Sequence, residues 1–160
     1  MLHVNIICVG KIKEKFFKDS IDEYSKRLSK YCNLNIIELP DEKIPNNASE
    51  KEMSIIKEKE GTNILNNIKK DNYIICLDLK GKQFTSEEFS NKINNISINQ
   101  TGSITFIIGG SLGISQNVLD KANELISFSK MTFPHQLFRV ILLQQIYRAF
   151  KIINNETYHK

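Results

Sequence analysis

The sequence contains no apolar run longer than a few residues, far short of the roughly 20 that cross a bilayer. Its first residues, Met1-Leu2-His3-Val4-Asn5-Ile6-Ile7, lack the basic start, long apolar stretch and small-residue cleavage site of a signal peptide. A soluble, cytoplasmic protein with no membrane partner is expected. Cysteine is scarce: Cys8, Cys32 and Cys76 are widely spaced, with no CxxC pair and no Cys/His cluster. That argues against a disulfide framework and a structural metal, and leaves Cys8 and Cys76 as small hydrophobes within apolar runs. Neither a P-loop nor a G-x-G-x-x-G fingerprint is present, which counts against a nucleotide- or dinucleotide-dependent enzyme acting on a small metabolite. Linkers and internal repeats are also missing, and 160 residues suit one domain.

Asp is absent after Asp120, and this marks an uneven charge distribution. Residues 1–60 carry 11 basic and 11 acidic side chains, and residues 61–120 carry 5 of each. Residues 121–160 carry 6 basic and 2 acidic ones, so the whole net charge of +4 lies in the last quarter. A balanced body with a basic end points to a local anionic partner. Ordinary fluctuation over 40 residues is the competing explanation.

Hydrophobic patterning predicts five strands alternating with helices. The strands are Val4–Val9, Asn35–Leu39, Tyr73–Leu79 (ended by Lys80-Gly81), Ser103–Ile108 and Leu125–Ser129. A helix is expected from Glu14, carrying Phe17, Ile21, Tyr24 and Leu28 at helical spacing. Two more follow the capping boxes Ser49/Glu52 and Thr85/Glu88, the first weakened by Gly61. A short helix over 115–123 and a long one over roughly 135–153 complete the pattern. This alternation is that of an α/β fold, a mostly parallel sheet flanked by helices. Ligands of such folds bind beyond the carboxyl ends of the strands.

Three segments there can carry chemistry. Gly109-Gly110-Ser111-Leu112-Gly113 follows the fourth strand, where glycines permit positive φ or close approach of a ligand; a tight turn without a ligand explains it nearly as well. Ser129-Lys130-Met131-Thr132-Phe133-Pro134-His135 is apolar enough to wrap an aromatic base, with backbone groups left to read its edge. Met131 and Phe133 also fit as core plugs, and His135 as a helix start. On the last helix, Arg139 and Arg148 lie nine residues apart and face roughly opposite sides. One of them can serve an internal or subunit contact while the other meets phosphate. Solvated helix arginines are the plain alternative. The tail, Glu156-Thr157-Tyr158-His159-Lys160, has two aromatic rings with which to dock. Lys11, Lys13 and Lys15 can touch nucleic-acid backbone, although Glu14, Asp19, Asp22 and Glu23 balance them as a solvated face.

Together these pieces resemble, over essentially the full length, the bacterial ribosomal large-subunit RNA methyltransferase H family, pseudouridine N3-methyltransferases of the SPOUT superfamily. The resemblance rests on Val9–Lys13, Phe106–Gly113, Phe128–Gln136, Arg139-Val140, Gln145–Phe150 and Tyr158–Lys160. It departs at Leu112, where relatives often have a polar residue. The resemblance implies one SPOUT domain over residues 1–160, with a deep trefoil knot in its C-terminal part. It implies S-adenosyl-L-methionine as cofactor, at Leu77, Gly109 and the run Phe128, Ser129, Lys130, Met131, Thr132 and Phe133. The implied reaction methylates N3 of a pseudouridine in helix 69 of 23S rRNA, on assembled 70S ribosomes, by a homodimer. Catalysis falls to His159, Tyr158 and Arg148, with the tail reaching the active site across the dimer. RNA contacts are expected from Arg139, His135 and Lys11, with no role for DNA or metal. A non-enzymatic, ribosome-binding protein is the alternative.

Overall fold

A computed structural model describes residues 1–100 and 102–158. Its elements run β1 (Leu2–Val9), α1 (Lys15–Leu28), β2 (Cys32–Leu39), α2 (Glu50–Asn66), β3 (Tyr73–Gln83), α3 (Ser86–Asn99), β4 (Ser103–Ile108), α4 (Gln116–Lys121), β5 (Glu124–Ser127) and α5 (His135–Ile153). All strand pairs are parallel, in the order β2-β1-β4-β3-β5. No helix among the described residues is long and apolar enough to cross a membrane.

Alternation along the strands splits the core into two layers, because successive side chains point to opposite faces. Val4, Ile6 and Cys8 of β1 join Ile104 and Phe106 of β4 on one face, under α1, α3 and α5. Ile7 and Val9 join Cys76 and Ile107 on the other, under α2 and α4. Burial pushes the thiols of Cys8, Cys32 and Cys76 up to about 12, so none is a thiolate near neutral pH. They are core hydrophobes.

The two expected capping boxes are present. Ser49 and Thr85 accept from the backbone N–H of Glu52 and Glu88, and both glutamates reach back to the cap N–H. α2 runs unbroken through Gly61. A Cβ there would overlap the Ser115 hydroxyl, so the glycine is what lets α4 approach. The first two strands begin earlier than the sequence pattern suggests. Their backbones pair from Leu2 and Cys32 onward, a ladder that needs no apolar alternation to form.

The largest difference is in β3, which continues through Lys80-Gly81 to Gln83. Ile126 of β5 is the register partner of both Leu77 and Lys82. Residues 78–81 therefore leave the ladder and rejoin it. A Cβ on Gly81 would lie 2.6 Å from main-chain atoms of Leu125 and Ile126, space that only glycine leaves open. Gly81→Ala should consequently cost about 1–3 kcal/mol or more, the range for forcing extra atoms into packed structure. Urea unfolding of the variant checks this, and an unchanged midpoint would refute the close approach.

The candidate cofactor cleft and the C-terminal cluster

Beyond the carboxyl ends of β3, β4 and β5 lies a cleft of about 520 Å³. Of the eight residues expected to hold the cofactor, Leu77, Gly109, Phe128, Ser129, Met131, Thr132 and Phe133 line it. Lys130 is exposed and lies outside this lining. The floor is the turn after β4. Gly113 takes a φ of +89°, and its N–H donates to the Gly110 carbonyl at 3.0 Å. Gly109 packs so closely beneath it that a Cβ would come 2.8 Å from the Gly113 carbonyl carbon. Both glycines are thus required by the turn itself.

The facing wall is the segment after β5. The Ser127 hydroxyl donates to the Ser129 carbonyl at 2.8 Å, and the Ser129 hydroxyl accepts from the Met131 N–H at 3.0 Å. These two bonds turn the chain out of the sheet at Ser127, two residues before the expected strand end. Phe133 stacks on Phe138, and Phe128 packs against Phe138 and Phe89. The wall is therefore rigid and aromatic, while Met131, 75% exposed, stands at its rim.

Helix α5 enters beside this wall. His135 and Phe138 from its first turns line the cleft. The Gln136 side-chain carbonyl accepts from the Lys13 N–H at 3.0 Å and ties the loop after β1, which carries the exposed Lys11, to the same helix end. Arg139 does not face solvent. It is 2% exposed, ion-paired to Glu38 and donating to the Gly10 carbonyl at 3.0 Å. This corrects its assignment to RNA: a guanidinium enclosed in the fold and ion-paired there is out of reach of a phosphate. Arg139 is the internal contact of the two-sided helix, joining β2 and the β1–α1 loop to α5.

Two participants escaped sequence reasoning. Lys57 of α2 lines the cleft beside Gly113. Glu60, one turn later and 6% exposed, sits beneath Gly110. One of its oxygens accepts from the Glu42 N–H at 3.0 Å, and the other has no hydrogen-bond partner among the described residues. Burial pushes the Glu60 carboxyl above its ordinary range. Both read as solvated charges on a helix face; only their spacing of three, which places them on one side, was a signal.

The expected catalytic residues gather elsewhere. The Arg148 guanidinium lies 4.8 Å from the Tyr158 ring centre, and that ring packs edge-on against Tyr147 at 5.0 Å. The Gln144 amide links them. With its oxygen toward the guanidinium it accepts from Arg148 at 3.2 and 3.3 Å and from the Tyr158 hydroxyl at 3.1 Å. His159 lies outside the described residues. Arg148 follows Phe138 by ten residues along a continuous helix, about 15 Å at 1.5 Å per residue. Within one chain the cleft and the Arg148–Tyr158 cluster occupy different parts of α5.

Comparison with known proteins identifies the family. Residues 2–159 match the family model described as "Predicted SPOUT methyltransferase". The chain is 65% identical over 159 residues to the ribosomal RNA large subunit methyltransferase H of Clostridium botulinum strain 657, covering 99% of this chain and all of that one. The protein of the same name from Clostridium beijerinckii is 62% identical over the same coverage. Among solved structures, a probable methylase family protein from Haemophilus influenzae Rd KW20 aligns with a TM-score of 0.55. It is 12% identical, the match covers 98% of this chain and 70% of that one, and the likeness is one of fold. The α/β sheet, the glycine-floored cleft and these full-length matches together place the chain in the SPOUT methyltransferase family, among the ribosomal RNA large subunit methyltransferase H proteins.

Proposed function

We propose that this enzyme transfers a methyl group from S-adenosyl-L-methionine to N3 of a pseudouridine in helix 69 of 23S rRNA, on assembled 70S ribosomes in the cytoplasm. The observation that carries this reading is the cleft, which gathers seven expected cofactor residues from three separate segments. Its fit to the cofactor rests on the turn at Gly109, closed enough to exclude any side chain, and on an aromatic wall suited to a purine. Leu77, Gly109, Phe128, Ser129, Met131, Thr132 and Phe133 would hold the cofactor. The cofactor supplies an electrophilic methyl on a sulfonium.

The chain's own residues do the rest. N3 of pseudouridine is a weak imide acid and loses its proton before or during methyl transfer. The Arg148 guanidinium, fixed by Gln144 and Tyr158, favours the anion that develops. His159 has the side chain suited to accept a proton near neutral pH. Tyr158 orients the base or His159. The distance between cleft and cluster along α5 supports a homodimer in which one subunit's tail completes the other's cleft. A trefoil knot in the C-terminal part of a single domain spanning 1–160 belongs to this reading and is supported by the family match over residues 2–159. His135 at the cleft and the exposed Lys11 nearby are RNA contacts in this reading.

The test is transfer of labelled methyl to 70S ribosomes lacking the modification, with free 23S rRNA as comparison. Transfer to ribosomes should exceed transfer to free RNA, and His159→Ala should lower it without weakening cofactor binding. Ribosome binding with no methyl transfer would favour a non-enzymatic role.

A further inference from the structure

Helix α5 ends in a way that dictates where the chain goes next. Asn155 takes a left-handed φ of 54°, a conformation asparagine tolerates better than most residues. The Glu156 N–H donates to the Lys151 carbonyl at 2.9 Å and the Asn155 N–H to the Ile152 carbonyl at 3.1 Å. This is a Schellman cap, and it turns the chain back along the helix it has just left. Glu156 is thereby brought over Lys151, one and a half turns earlier, and Tyr158 over Tyr147 and Arg148.

Side chains then fix the reversal. The Glu156 carboxylate accepts from the Lys151 ammonium at 2.7 Å and from the Tyr31 hydroxyl at 2.8 and 2.9 Å. Tyr31 is not part of the helix or the tail; it lies between α1 and β2, and its ring stacks on Phe150 at 5.7 Å and meets Tyr147 edge-on at 6.1 Å. The Lys151 side chain is only 14% exposed, which shields the ion pair more than an ordinary surface pair. Two distant parts of the sequence, the α1–β2 connection and the end of α5, thus converge on one carboxylate two residues before Tyr158.

We propose that Tyr31 and Glu156 are positioning residues that clip the C-terminal segment onto its own α5, presenting Tyr158 and Arg148 as one rigid unit. The clip lies outside the cleft lining and adjoins the cluster through the Tyr147 ring, on which both Tyr31 and Tyr158 pack; it acts by removing the freedom of the segment that bears Tyr158. The proposal rests on the methyl-transfer reading above for its effect on rate. Its physical part, docking of the tail, stands without it.

Full-length wild type, Glu156→Gln, Glu156→Asp and Tyr31→Phe are compared in three measurements. Carboxypeptidase release of the last residues should quicken in Glu156→Gln and Tyr31→Phe. Their turnover on ribosomes should fall about tenfold, the scale of one lost charge-assisted hydrogen bond. Their affinity for S-adenosylmethionine should stay that of wild type, and Glu156→Asp, which keeps the charge, should fall between. Unchanged release would overturn the clip, as would quicker release with unchanged turnover. A parallel fall of turnover, cofactor affinity and thermal midpoint would overturn it too, since it would show a general structural role. If wild type itself transfers no methyl, the functional reading fails separately. Quicker release would then still support the clip, and unchanged release would overturn it.

Discussion

Arg148→Ala should lower methyl transfer to ribosomes by about a hundredfold to a thousandfold, the usual loss when one preorganised electrostatic donor is removed. Affinity for S-adenosylmethionine should not change, because Arg148 is not among the residues that line the cleft and its charge acts on the base. The guanidinium is held in advance by the Gln144 amide and the Tyr158 ring, so no reorganisation is needed when charge develops on the base. Arg148→Lys should rescue little, since an ammonium cannot reproduce the planar fork that meets both partners. The same variant tests the subunit arrangement. Thr132→Trp would fill the cleft and abolish transfer by itself. Co-assembled in equal amounts with Arg148→Ala, it should restore about one quarter of wild-type activity, because half the dimers are mixed and each has one complete site. A site built within one chain would gain nothing from mixing.

The contrast between α5 and β3 shows what a sequence can disclose. β4 and α5 lie where apolar spacing puts them, and both capping boxes form, because each depends on residues within a few positions of one another. The glycine turn and the Phe128–Phe133 wall were legible for the same local reason. β3 was not: its passage beyond Gly81 depends on the main chain of β5, more than 40 residues away. Arg139 and Arg148 were legible as a pair facing opposite sides, but not which one was inside. Burial of Arg139 is decided by Glu38 and Gly10, partners more than 100 residues distant in sequence. Lys57 and Glu60 were hidden by their chemistry, since charged residues on an amphipathic helix are ordinarily solvent-facing.

Glu38→Ala should destabilise the fold by about 3–5 kcal/mol, the cost of leaving a buried charge without its partner. The two members of the pair are unequally placed: the Arg139 side chain is 2% exposed and that of Glu38 is 37% exposed. Removing Arg139 leaves a carboxylate that water can reach. Removing Glu38 leaves a guanidinium enclosed in protein, with the Gly10 carbonyl as an acceptor and its Nε already without one among the described residues. Glu38 also accepts from the Ile12 N–H at 3.0 Å, so its loss frees the loop after β1 as well. Arg139→Met, which keeps the volume and removes the charge, should therefore be the milder substitution. Urea unfolding of both variants measures the difference, and equal losses would show that the guanidinium is less enclosed than its geometry says. Ribosome binding supplies the second readout. If Arg139 held a phosphate, Arg139→Met would reduce the slope of log affinity against log salt by nearly one. An internal clamp leaves that slope unchanged, which is the expected result, and the basic end of the chain then meets RNA without Arg139.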